Sequence, residues 1–315
     1  MMSKSSKILV VGHEGVITQS LTQALKARGF SQVVSSAEIA LDTTVQNAVY
    51  RYFSQERPAY VFLTSVRSGG IEANQKCPAE FFYANSESQN NVVYAAHKFG
   101  VNKLMYVASS CVYPKESPQP LSPGSLMTAA LEETSASYAM AKLSGIELCR
   151  AFKKQYRLDT VAVVPATVYG PAAHAHPEQA HVLDGLIEKF YSAKANNQGQ
   201  VTVWGSGRPK REFIFSEDFA DACLFLMDRE GLASVVNIGC APDVTIEELA
   251  RAIKAVSGFS GEIVFDAAKP DGVLRKLLDS AEITKLGWKP KVSLREGLRR
   301  TWEHYEQEQR KDDRP

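Results

Sequence analysis

The chain has 315 residues, 44% hydrophobic and 23% charged, with a formal net charge of +1. This is ordinary globular material, long enough for one large α/β unit and a smaller lobe. The charge balance gives no basis for a nucleic-acid or anionic-membrane surface, and no apolar run reaches the length of a membrane span.

Met1 to Lys7 is short and polar and lacks the apolar centre of a signal peptide. The five cysteines (Cys77, Cys111, Cys149, Cys223, Cys240) are odd in number and widely spaced, with no CxxC pair. They read as reduced thiols of a cytoplasmic protein, without a disulfide framework or metal site. The last residues, Glu306 to Pro315, are charged enough to fray.

In chain order, Lys7 to Val11 (KILVV) reads as a buried strand ending at Gly12, and Ile17 to Arg28 as a helix stopped by Gly29. Strands follow at Gln32–Ser36 and Tyr60–Thr64, with a helix at Val45–Gln55 between them. Ser86–Phe99 is a long helix closed by Gly100. Next come a strand at Lys103–Ala108, a long helix at Ser137–Tyr156 and a strand at Thr160–Pro165. Apolar strands alternating with helices predict an α/β fold with a doubly wound parallel sheet of Rossmann type. The ligand crevice is then expected at the carboxyl ends of the strands.

After Gly170-Pro171 the pattern changes. A loop rich in Ala, His and Pro (Pro171 to Ala180) leads to a helix at Val182–Ala195 and a strand at Val201–Trp204. A helix at Asp218–Met227, a strand at Val235–Ile238, a helix at Ile246–Ser257, a strand at Glu262–Asp266 and terminal helices complete the chain. The division is read as a dinucleotide domain over 1–170, to which about 212–240 returns. A smaller α/β substrate lobe takes 171–211 and 241–315.

Gly12-His13-Glu14-Gly15-Val16-Ile17 joins the first strand to the first helix. Glycines there permit a tight turn and close approach of backbone N–H groups to a pyrophosphate. Two glycines after a strand also fit an ordinary βα turn, but their place at the head of a βαβ series favours a dinucleotide. An NAD site usually ends its second strand with an acid for the ribose 2′-hydroxyl. Here Ser35-Ser36-Ala37 stand instead, with no arginine beside them. This predicts a modest preference for NADP(H), although both serines also fit as plain strand-end residues.

Tyr138-Ala-Met-Ala-Lys142 opens a helix, and a spacing of four places both side chains on one face. A phenol with an ordinary pKa of about 10 is a poor acid–base catalyst at neutral pH, and a fixed cation favours its phenolate. On a helix surface such a pair is often only solvated. Here it follows a strand ending in Ser109-Ser110-Cys111, whose hydroxyl suits a substrate carbonyl. Ser109, Tyr138 and Lys142 form a set for hydride transfer at a C–O centre.

With these motifs the chain resembles the extended short-chain dehydrogenase/reductases, and within them the GDP-fucose synthases (GDP-4-keto-6-deoxymannose epimerase–reductases). The likeness runs through Gly69-Gly70-Ile71, Ser109-Ser110-Cys111-Val112-Tyr113-Pro114, Val168-Tyr169-Gly170-Pro171 and His181-Val182-Leu183. It continues through Val203-Trp204-Gly205-Ser206-Gly207, Arg211-Glu212-Phe213, Lys269-Pro270-Asp271-Gly272 and Arg275-Lys276-Leu277. Sugar dehydratases carry an acidic pair after the strand-end hydroxyl; Cys111-Val112 supplies none.

The resemblance implies a GDP-linked 4-keto-6-deoxy sugar as substrate and NADPH as reductant. Cys111 is then the base and His181 the acid that epimerise carbons 3 and 5, acidified by the keto group; Tyr138 is the proton donor of the reduction. It implies cofactor contacts at Val107, Ala108, Lys142, Pro165, Val168 and His181 besides the glycine turn. Substrate contacts are implied at Lys189, Trp204, Arg211, Asp271 and Lys276. It also implies a homodimer, formed through apolar stripes on the helices at Ser86–Phe99 and Ser137–Tyr156.

The chain departs from the family at Thr18, where a third glycine is usual and where a larger side chain should crowd helix against strand. It departs at Thr64-Ser65, where small alanines are usual, and at Ala166-Thr167. The family's His-Asp-Asn after Gly-Pro is missing from Ala172 to His174. Another GDP-4-keto sugar of heptose, colitose or rhamnose type, a plain C4 reductase, and a catalytically weak NADP-binding homologue are the alternatives.

Overall fold

The computed structural model describes residues 2–172, 181–269 and 271–312. Most of the loop read at 171–180, including His174, and Pro270 of the Lys269–Gly272 motif lie outside the described residues. Six parallel strands form the main sheet: β1 (Lys7–Val11), β2 (Gln32–Ser35), β3 (Tyr60–Leu63), β4 (Lys103–Val107), β5 (Thr160–Pro165) and, late in the chain, Val235–Ile238. The spatial order runs from Val235–Ile238 through β5, β4, β3 and β1 to β2. The chain first adds β2 on one side of β1 and then β3 on the other. The crevice of such a sheet opens at this reversal, beyond the carboxyl ends of β1 and β3.

The crossovers are α1 (Val16–Ala27), α2 (Gln46–Glu56), the short α3 (Ile71–Lys76) with α4 (Pro78–Lys98), and α5 (Ala136–Tyr156). Helix α4 begins eight residues before the expected Ser86. Pro78 starts it, and its buried face carries Asn85, Ser88, Gln89 and Asn91, which hide the apolar period. Each is matched by a partner. The Asn85 amide group donates to the carbonyls of Phe81 and Arg67, and that of Asn91 to the carbonyls of Thr43 and Thr44. Gln89 donates to the Ala141 carbonyl, and the hydroxyls of Ser88 and Thr43 lie 2.7 Å apart.

Beyond β5, β6 (Thr167–Tyr169) leads towards α6 (Val182–Ala195) and β7 (Gln200–Trp204). Then come β8 (Lys210–Arg211), β9 (Phe213–Phe215), α7 (Ser216–Met227) and β10 (Val235–Ile238). In the stretch read as returning to the sheet, β10 joins it as a strand and α7 packs into its core, while β9 pairs with β6. The remainder is β11 (Val244–Thr245), α8 (Ile246–Ser257), β12 (Glu262–Asp266), β13 (Arg275–Lys276), α9 (Ala281–Lys285) and α10 (Leu294–Asp312). One apolar core fills both faces of the main sheet; a second lies among α6, β7, β9, α8 and α10, around Phe190, Phe215, Leu249 and Trp302.

Within the stretch expected to fray from Glu306, α10 continues to Asp312, and 313–315 lie outside the described residues. Lys194 pairs with Glu306 at 3.2 Å and Lys311 with Glu308 at 2.6 Å, so the charges that suggested fraying partner one another or the body of the protein.

Candidate active site

The glycine turn lies beyond β1 and rests on β2 and β3. The Ser36 hydroxyl accepts from the Gly12 amide at 3.0 Å and donates to the Gly12 carbonyl at 3.1 Å. Ser35 is engaged with Glu38, whose amide donates to the Ser35 hydroxyl at 3.1 Å, while Lys26 holds the Glu38 carboxylate at 2.9 Å. Both serines therefore organise the strand end. A Cβ on Gly12 would lie 1.8 Å from Thr64 Oγ1 and 2.9 Å from Thr18 Oγ1. The expected crowding by Thr18 is thus absorbed at Gly12, and two departures from the family, Thr18 and Thr64, meet each other with hydroxyls 3.4 Å apart.

His13 ties this turn to the end of β3. Its Nδ1 lies 2.9 Å from the Ser65 carbonyl, which only accepts, so Nδ1 carries the proton and Nε2 accepts from Ser68 Oγ at 3.0 Å. Desolvation by the surrounding chain holds the imidazole below its ordinary pKa, although the ring keeps an accessible face. A cleft of about 330 Å³ opens here, lined by Gly12, His13, Ser36, Ala37, Asp42 and Thr43 among others.

A dinucleotide fits this turn. Helix α1 follows Gly15 as its N-cap, with no side-chain cap and no acid in its first turn, so no side chain satisfies or repels at this helix start, which suits an anion. Glu14, Val16 and Ile17 belong to this turn, and Glu14 is exposed. The cleft lining includes no cation for a 2′-phosphate, and Asp42 is its carboxylate. Val107, Ala108 and Pro165 lie at the carboxyl ends of β4 and β5, and Val168 lies in β6.

Helix α5 brings the Tyr138 phenol to the end of β3, beside Ser65. Tyr138 is buried, and its hydroxyl is 2.9 Å from that of Ser65. Burial raises its pKa strongly, against hydrogen bonds from Ser65 and Ser109, so it stands as a neutral phenol. Lys142, wholly buried, is pushed down to about 7 by desolvation. Its Nζ lies 3.5 Å from the Thr64 carbonyl and 4.5 Å from the centre of the Tyr106 ring. Desolvation is the leading influence on both groups, and the hydrogen bonds that oppose it on Tyr138 come from Ser65 and Ser109.

Beyond β4, Ser109 begins a 3₁₀ turn over Ser110–Val112, and its hydroxyl accepts from the Cys111 amide at 3.4 Å. Burial alone would raise the Cys111 thiol. The Lys276 ammonium at 3.9 Å, the hydroxyls of Ser109 and Ser135, and the charge of Arg211 outweigh it and hold the thiol below its ordinary value. The two cations reach the thiol together because β13 pairs with β8, with Lys276 opposite Arg211. Glu212 anchors this small sheet by accepting from the amides of Leu278 at 3.0 Å and Cys240 at 2.5 Å.

His181 is the residue preceding α6, and the Asp184 carboxylate accepts from its amide. Desolvation and the nearby charge of Lys276 lower its imidazole, even though part of the ring is accessible. Ser109 thus links Cys111 to Tyr138, and the charge of Lys276 acts on both Cys111 and His181. Of the other residues expected to touch substrate, Trp204 is 56% exposed, with Lys189 5.0 Å and Lys269 5.2 Å from its ring centre. Asp271 accepts from the Ser206 amide at 2.6 Å and hydroxyl at 2.7 Å, holding the turn after Trp204.

Sequence reasoning missed Ser65 and Ser135 as site residues. Lys276, expected as a substrate contact, also stands 3.9 Å from the Cys111 thiol, a meeting the sequence does not show. Among the described residues no group of three or more His, Cys, Asp or Glu is arranged to hold a metal ion, and no helix is long and apolar enough to cross a membrane.

Comparison with known proteins matches residues 8–239 to the NAD dependent epimerase/dehydratase family. The chain is 46% identical to GDP-L-fucose synthase 1 of Arabidopsis thaliana over 305 residues, 97% of this chain and 94% of that one. It is 39% identical to the GDP-L-fucose synthase of Escherichia coli K12, covering 96% and 97%. Among solved structures it superposes on a GDP-mannoheptose C4 reductase of Campylobacter jejuni with NADP bound, with a TM-score of 0.88 and 34% identity over 97% of this chain and all of that one.

Proposed function

The chain belongs to the NAD dependent epimerase/dehydratase family, and within it to the GDP-L-fucose synthases; from that membership we propose that it is an NADP(H)-dependent epimerase–reductase of a GDP-4-keto-6-deoxy sugar. The observation that carries the reading is the Cys111 thiol, held 3.9 Å from the Lys276 ammonium beside Ser109 and Tyr138. A base able to take a proton from carbon and an acid able to give one to oxygen then share one pocket.

In this reading the C4 carbonyl of the sugar lies against Ser109 and Tyr138, and its electron withdrawal acidifies the protons on carbons 3 and 5. The Cys111 thiolate takes such a proton, leaving the electron pair in an enolate that Lys276 and the hydroxyls help to stabilise. His181 returns a proton from the opposite face. It does so as the imidazolium, which its lowered pKa makes a stronger acid; the imidazole left behind takes up a proton from solvent, and the Cys111 thiol gives its own up to solvent. Bound NADPH supplies the hydride to C4, held by the Gly12–Ile17 turn and Lys142. Tyr138 then protonates the C4 oxygen. Arg211 supplies positive charge for the diphosphate, and Trp204 with Lys189 offers a flat ring and a cation to the nucleotide.

The lobes divide accordingly, with residues 1–170 and about 212–240 holding the dinucleotide and 171–211 with 241–315 the nucleotide sugar. The enzyme is cytoplasmic and a homodimer. The accessible face of α4 and α5 carries Tyr83 at 65% exposure and Met140 at 47%, a surface that suits pairing with a second copy. A monomer by light scattering at micromolar concentration would exclude the dimer. A second reading, C4 reduction of another GDP-4-keto sugar without epimerisation, draws support from the 34% identical heptose reductase and from the altered pocket at Thr167 and Ala172. Proton NMR of GDP-4-keto-6-deoxymannose in deuterated buffer separates the two: deuterium entering carbons 3 and 5 supports the epimerase, and reduction without it supports the plain reductase.

A further inference from the structure

Ser65 stands just beyond β3 with its main chain fixed. Its carbonyl accepts from the His13 amide at 3.0 Å and from His13 Nδ1 at 2.9 Å, and the next amide, that of Val66, donates to Asn85 Oδ1 at 3.1 Å. These bonds position the segment without the serine hydroxyl. That hydroxyl lies instead 2.9 Å from the hydroxyl of Tyr138, and both residues are buried. Tyr138 is held independently on α5, its ring edge-on to Phe81 with centroids 6.1 Å apart. Two anchored elements thus bring a proton donor to the phenolic oxygen.

We propose that Ser65 is a positioning residue for proton donation, its hydroxyl donating to the Tyr138 oxygen as that oxygen gives up its proton. The inference rests on the reading of Tyr138 as the acid of the C4 reduction. When the phenol protonates the sugar oxygen, the Tyr138 O–H bond breaks and its electron pair stays on the phenolate, while a new O–H bond forms on the sugar. Burial strongly opposes that phenolate. Lys142 lies with its ammonium on the Thr64 carbonyl and the Tyr106 ring. The Ser65 hydroxyl, ahead of that of Ser109, is therefore aimed at the oxygen where charge develops, and a hydrogen bond to an ionised oxygen is about twice as strong as one between neutral groups. Solvent then returns the proton to the phenolate.

The test compares wild type, Ser65→Ala, Ser65→Thr and Tyr138→Phe in protein labelled with ¹³C at the tyrosine Cζ. The Tyr138 resonance is assigned by its loss in Tyr138→Phe. Ser65→Ala is expected to move that resonance and to lower kcat for reduction by about 10–100-fold, the range of a lost hydrogen bond to a charged group. It should also shift the basic limb of the kcat profile to higher pH, while NADPH binding and deuterium exchange into the sugar are unchanged; Ser65→Thr should recover most of kcat. An unmoved resonance with unchanged kcat, where Tyr138→Phe has lost reduction, overturns the inference and leaves the assignment of Tyr138 standing. Parallel losses of exchange, binding and reduction mark a structural role and overturn it as well. If Tyr138→Phe still reduces the sugar, both the assignment and the inference fall.

Discussion

Replacing Lys276 by Met removes the ammonium beside Cys111 while keeping an unbranched side chain in β13. At 3.9 Å the attraction between an ammonium and a thiolate lies between about 1 kcal/mol in water and about 4 kcal/mol at an effective dielectric of about 20. Both side chains are half-buried, so the pair falls between those limits. Even the lower figure is a factor of about 5 in the thiolate population. With the cation gone, burial becomes the leading influence on the thiol and raises it; even an ordinary thiol is only a few per cent thiolate at pH 7. The sign follows: thiolate is present above the thiol pKa, so Lys276→Met should move the reactivity profile to higher pH. The assay is the pH dependence of iodoacetamide alkylation, read by mass spectrometry on the peptide containing Cys111. The half-buried Cys77 and Cys240 then do not interfere. The rate constant at pH 7 should fall at least about fivefold, deuterium exchange into the sugar should fall in parallel, and the two proteins should converge at high pH. Lys276→Arg should restore most of the rate. Superimposable profiles for wild type and Lys276→Met would refute the argument that this lysine sets the thiol.

Cys111→Ala should abolish deuterium exchange into the sugar with NADPH binding near normal, whereas Tyr138→Phe should keep exchange and lose reduction by about 10²–10⁴-fold; both are read by NMR and nicotinamide absorbance. Lys142 is pushed down to about 7, so between that pH and its unfolded value unfolding takes up a proton and stability rises with pH. Lys142→Met should remove that slope and raise the melting temperature of the unliganded protein at pH 7, while abolishing reduction. Gly12→Ala drives a methyl group onto the Thr64 hydroxyl and should lose about 1–3 kcal/mol, measured by chemical denaturation, with part recovered in Gly12→Ala/Thr64→Ala. Ala37 lines the cofactor cleft where no cation stands, so Ala37→Arg should favour NADPH over NADH by a further tenfold or so in calorimetric binding. Substitution of Ser36 is a poorer test, because its hydroxyl holds both polar groups of Gly12.

The sequence by itself determined most of the fold and the chemistry of the catalytic set. The strands of the main sheet are short apolar runs and α1, α2 and α5 carry their own period and stops, so their bounds agree with the structure to within a residue or two. The Ser-Tyr-Lys set was legible because each member has a fixed offset from a strand end or helix start. Reading failed where burial is polar, as on α4, since Asn85, Ser88, Gln89 and Asn91 look like a solvated face until their partners in other elements are known. It failed again where the active site is assembled across distance. Lys276 reaches Cys111 from 165 residues away, by way of a two-residue strand paired with Lys210–Arg211, and Ser65 meets Tyr138 across 73 residues. No periodicity records such meetings. Local pattern expresses backbone preference and the side a residue faces, whereas the charge beside a thiol and the donor beside a phenol depend on packing, which only the tertiary structure decided.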